Sequence, residues 1–122
     1  MQHHLLLVAA FGLAVVGFMH SYLGERHILS RLLALPDLPK LRGSRAYMAA
    51  VLRWAWHLTS VAWWGTAAML VVVWSGGGLA ATGAVLAGTF ALHAVIILAT
   101  GPQHPAWPLF LLTAAALWFG TH

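Results

Sequence analysis

Cysteine is absent from this 122-residue chain, which excludes disulfides, thiolate metal sites and thiol redox chemistry. Charge is nearly as scarce. Two acidic and six basic residues make up 7% of the sequence, against 61% hydrophobic residues and a mean hydropathy of +0.85. A soluble domain carries about 25% charged residues, so this chain lacks the material for a water-facing surface. No internal repeat or low-complexity tract is visible. The sequence pI of about 10.9 raises the question of nucleic acid, but every Lys and Arg falls between Arg26 and Arg53. The basic balance is the property of one loop and its border, and no nucleic-acid partner is expected.

What is present is a series of long apolar runs. Residues 5–23 form the first, and nineteen residues at about 1.5 Å each cover roughly 28 Å, close to a hydrocarbon core. No Lys or Arg precedes the run and no A-x-A site ends it, so it is read as a retained span and not a signal peptide. Further spans are expected over about 47–74, 79–100 and 106–120, the turn Ser75-Gly76-Gly77-Gly78 separating the second from the third. The polar loop 24–46 holds Arg26, Arg31, Lys40, Arg42 and Arg45. Within it Ile28 to Leu35 is apolar enough for a short interfacial helix ending before Pro36. The fold expected is all-α: one transmembrane domain over residues 1–122, an integral membrane four-helix bundle in a bacterial inner membrane. The positive-inside rule puts the loop in the cytoplasm and both termini on the non-cytoplasmic side.

Histidine is the abundant ionisable residue, with eight copies. In that topology His20, His57 and His93 fall in the cytoplasmic part of three successive spans, and His104 opens the fourth. Ionisable side chains inside a membrane are costly and face the bundle interior with a partner. A shared site is therefore expected. Separate helix–helix hydrogen bonds are the competing reading, and His104, in a Pro-rich turn, reads first as a polar loop residue. Imidazole suits Zn, Cu and Fe ions and haem iron. Arg53 stands one turn from His57, and Arg26 stands beside His27. Guanidinium groups repel a bare cation but neutralise propionates bidentately, and Gly17 and Gly24 would leave room for a flat macrocycle. These features favour b-type haem.

The segment His20-x3-Gly24-x-Arg26-His27 resembles the haem and quinone signature of the succinate dehydrogenase cytochrome b subunit over eight residues. That resemblance implies His20 as an axial iron ligand, Arg26 and His27 at the propionate edge, and a quinone nearby. Arg31 stands in the stretch where that family has an Asp, and the family has three spans.

The leading expectation is thus a haem b protein exchanging electrons with a quinone, its cofactor-binding residues being His20, His57, His93, Arg26, His27 and Arg53. The alternative is a non-haem Zn, Cu or Fe site of His20, His57 and His93 completed by Glu25 or His104. A structural subunit of a larger membrane complex, or a homo-oligomer, is the third reading. No catalytic residue is assigned. Topology is directly testable: because all six Lys and Arg lie in residues 26–53, a reporter fused after His122 should report from the periplasmic side. A cytoplasmic signal would require an odd number of spans and would remove the shared depth of the histidines.

Overall fold

The computed structural model describes residues 2–122, all helix and connecting loop. Helix α1 spans Gln2–Leu23. It does not end there, as the expected loop at 24 requires. Leu23, Leu29 and Ser30 all keep right-handed helical dihedrals, so the chain passes through a π-helical segment, Gly24–Leu29, into the short helix α2, Ser30–Leu32. The rod is therefore one apolar helix over residues 3–32 with a single widened turn. It stops where Pro36 removes a donor and restricts the residue before it.

The connection that follows is built from its own side chains. Arg45 donates to the carbonyls of Leu33, Leu35 and Pro36, capping the frayed helix end. Arg42 (φ 51°) and Gly43 (φ 76°) both occupy the left-handed region, and Leu41 and Ser44 exchange backbone hydrogen bonds of 3.1 and 3.0 Å. That is a type I′ turn with arginine at a position where glycine or asparagine is at ease. Ser44 then caps helix α3, Arg45–Trp74, by accepting the Tyr47 N–H at 3.1 Å.

At the far end of α3 the glycine run forms a Schellman motif: Gly76 is left-handed (φ 70°), its N–H donates to Val73 O, and Gly77 N–H donates to Val72 O. Helix α4 covers Leu79–Thr100 and helix α5 covers Ala106–Thr121. The rod containing α1, then α3 and α4, are long and apolar enough to cross a membrane; α5, at 16 residues, is shorter.

The helices pack in chain order: α1 on α3, α3 on α4, α4 on α5. Among the described residues, no Cα of α1 lies within 8 Å of one in α4 or α5. The expected bundle is thus a succession of neighbours without a common centre, and α3 carries a different partner on each side. Its α4 side holds the main buried cluster, Trp54 and Leu58 against Ile97, flanked by Phe110 and Trp107 of α5. Large apolar side chains on all four long helices face outward, as lipid contact requires.

Its α1 side is governed by two glycines. A Cβ at Gly17 would lie 2.5 Å from Trp64 Nε1, and one at Gly24 would overlap the Trp56 indole. Each indole N–H crosses the notch to a carbonyl, Trp64 to Ala14 O at 3.1 Å and Trp56 to His20 O at 3.0 Å. Small residues at membrane helix interfaces permit this approach. Gly24→Ala should therefore lower unfolding stability in detergent by about 1–3 kcal/mol through overpacking. Gly12→Ala, where nothing lies within 4 Å, should be neutral or stabilising by up to about 1 kcal/mol.

Candidate functional site

The polar groups of the α1–α3 seam form one connected chain. Ser21 and Glu25 are a turn apart on the α1 rod, and Arg53, His57 and Ser60 follow helical spacing on α3, so the two sets face each other. Arg53 grips the carboxylate with two donors, Nη2 at 2.9 Å from Glu25 Oε1 and Nε at 3.2 Å from Oε2. This fork is the geometry guanidinium offers a carboxylate. Glu25 Oε2 also lies 3.2 Å from His57 Nε2. The other ring nitrogen, Nδ1, is 2.9 Å from Ser21 Oγ, which is 2.8 Å from Ser60 Oγ. The chain runs from side chains 46% and 41% exposed, Arg53 and Glu25, to Ser60 at 0%.

The π-helical segment sits at the mouth of this chain. Ser30 N–H donates to Glu25 O, five residues back. The widened turn begins immediately after α1 delivers Ser21 to α3 and carries Glu25 over Arg53. Such turns are frequent at functional sites.

Two arrangements of hydrogens satisfy the distances. With His57 neutral and Nε2 protonated, Nε2–H donates to Glu25, the Ser21 hydroxyl donates to Nδ1, and Ser60 donates to Ser21. With His57 positively charged, both ring N–H groups donate, and Ser21 turns to donate to Ser60. In the second arrangement the Ser60 hydrogen has no acceptor among the described residues. Chains of Glu, His and hydroxyl groups inside membranes are the recurring form of proton relays.

The residues flanking this chain open on the other side of the seam. His20, Gly24 and Trp56, each immediately before Ser21, Glu25 and His57, line a shallow groove of about 440 Å³ with Trp63, Met19 and Ile28. The His20 ring stacks on Trp56 with centroids 4.5 Å apart and planes 2° from parallel, and meets the edge of Trp63 at 5.0 Å. Among the described residues no protein group hydrogen-bonds either nitrogen of His20.

The other candidate residues lie apart. His93, buried on α4, donates Nδ1–H to Thr89 O at 2.7 Å and packs on Phe90 and Phe110. His104 accepts the Ala106 N–H at 3.2 Å in the α4–α5 turn, edge-on to Trp54. His27 is exposed, and Arg26 donates to Tyr22 Oη at 2.9 Å. Of the expected ligand set, only Glu25, Arg53 and His57 come together. Ser21 and Ser60 were absent from that set, although a hydroxyl next to His20 and another three residues after His57 were the available signal.

This geometry does not suit the expected haem. Two axial imidazoles need facing lone pairs about 4 Å apart, twice a metal–nitrogen bond of about 2 Å. Both nitrogens of His57 are engaged, His93 is on α4, and the Gly17 and Gly24 notches are filled by indoles. Nor do three or more His, Asp or Glu side chains among the described residues form a group able to hold a metal ion. No family model, curated protein or solved structure matches the chain.

Double-mutant cycles on unfolding in detergent test the connectivity. Glu25→Gln with His57→Gln should couple by about 0.6–1.7 kcal/mol, the range for polar contacts in membranes. His20→Ala with His93→Ala should be additive within about 0.5 kcal/mol. Strong coupling of the second pair would mean a shared histidine centre after all.

Proposed function

We propose that this chain is a bacterial inner-membrane protein, the loop around residues 33–44 cytoplasmic and both termini periplasmic, that binds a quinone ring in the His20 groove, with the Glu25–His57 chain on the opposite side of the same seam. One observation carries the reading: three consecutive pairs, His20–Ser21, Gly24–Glu25 and Trp56–His57, place a lipid-facing aromatic groove and an acid–base chain back to back on one seam. A quinone approaches through lipid, stacks on aromatic rings and accepts hydrogen bonds at its carbonyl oxygens. The exposed His20 nitrogens offer such a donor, and Trp56 and Trp63 offer the rings. Reducing a quinone to a quinol takes two electrons and two protons. His20 is the titratable side chain that lines the groove and can pass a proton to the ring, and the electrons come from a redox partner outside this chain.

A purely structural role for the seam is the second reading. The indole bonds across the glycine notches and the Ser21–Ser60 bond clamp α1 to α3 and would do so without any ligand.

Titration of a short-chain quinone into the protein in nanodiscs, read by tryptophan fluorescence, separates the two. Saturable quenching is expected, about tenfold weaker in His20→Ala, a loss of about 1.4 kcal/mol, and retained in Glu25→Gln. Linear, unsaturable quenching that is identical in all three proteins would leave the structural role standing alone.

A further inference from the structure

A second concavity, of about 470 Å³, lies at the loop end of the molecule, between the first turns of α3 and the α4–α5 turn. Its wall includes Arg42, Ser44, Tyr47 and Gln103. Tyr47 is only 8% exposed, yet among the described residues its hydroxyl has no hydrogen-bond partner. The hydroxyl itself is open to solvent, unlike the buried Trp54 indole N–H, and so is free to donate to a ligand. The Ser44 hydroxyl accepts the Tyr47 N–H and keeps its own hydrogen to give. The Gln103 carboxamide is exposed without a side-chain partner among the described residues.

Arg42 supplies the charge. Its guanidinium stands 5.9 Å from the Tyr47 ring centroid and pairs with no carboxylate among the described residues. The chain has only two acids: Glu25 is gripped by Arg53, and Asp37 is exposed and forms no ion pair. Arg42 also holds a left-handed backbone, φ 51°, in a turn that Gly-Gly would form without strain. A guanidinium, two hydroxyls and an amide therefore converge from two loops on one space, with donors in excess and no anion among the protein groups.

We propose that this concavity binds a phosphate ester. Its several donors, arriving from α3 and from the α4–α5 turn, suit a group with oxygens in several directions better than a flat carboxylate. The loop end is where headgroups of anionic lipids lie, and basic pockets between membrane helices on that side take such headgroups. A soluble phosphate ester would use the same donors.

The test uses the full chain in phosphatidylcholine nanodiscs, with phosphatidylglycerol added to the bilayer in one arm and glycerol phosphate added to the buffer in the other, read by thermal unfolding. Phosphatidylglycerol should stabilise the wild type. In Arg42→Gly the affinity should fall about tenfold while basal stability is unchanged or higher, because glycine accepts the left-handed turn. Arg31→Gln removes the same charge from an exposed position outside the concavity and should keep the wild-type response. Stabilisation by glycerol phosphate, lost in Arg42→Gly, supports the phosphate site and assigns it to a soluble ester. Equal weakening in Arg31→Gln and Arg42→Gly, or no response to either phosphate, overturns the proposal.

Discussion

The close approach of α1 to α3 is the constraint on which the site depends. In lipid there is no hydrophobic drive between helices, so association rests on packing and on hydrogen bonds across the interface. Gly17 and Gly24 remove the side chains that would hold the two backbones apart, and indoles of α3 enter the gaps and bond to α1 carbonyls. Only at that separation can a side chain as short as serine reach across. Ser21 meets Ser60 at 2.8 Å and His57 at 2.9 Å because the tryptophans on either side fix the spacing.

Much of the architecture is legible in the chain because it depends on composition and local stereochemistry. Apolar runs of membrane length give the helices, and the three glycines after Ser75 give the turn between α3 and α4. The candidate site was less legible, for a geometric reason. Depth along a helix follows from counting residues, but direction turns by about 100° per residue. His20 and Ser21 differ by one position, yet one stacks on tryptophans at the lipid-facing groove and the other bonds to α3. Three histidines of similar depth consequently point three ways.

Two further features lie beyond pattern reading. The π-helical segment, marked by the Ser30 N–H bond to Glu25 O five residues back, is one of them. The order of packing is the other. A common centre for four histidines assumes a closed bundle, whereas α3 stands between α1 and α4 and separates His20 from His93. The large aromatic and branched residues on the α4 side of α3, Trp54 and Leu58 with Ile97, are satisfied by one neighbour and draw no second helix inward.

The two sides of α3 thus do different physical work. Toward α4 the contact is apolar, and the hydroxyls there are locally satisfied: Thr89 donates to Val85 O, and His93 donates to Thr89 O. One donor on that side stands apart: the buried Trp54 indole N–H has no hydrogen-bond partner among the described residues. Toward α1 the groups are charged or exchangeable, and they begin at a half-exposed ion pair. An exposed pair of this kind contributes at most about 1 kcal/mol, too little to be the reason for placing Glu25 and Arg53 at a membrane border. What the pair does fix is the carboxylate's orientation, since both oxygens are held by the guanidinium fork and one is turned to His57 Nε2. The carboxylate is thus oriented on an imidazole whose other nitrogen meets the Ser21 hydroxyl, while the groove with His20, Trp56 and Trp63 opens on the opposite side of the same seam.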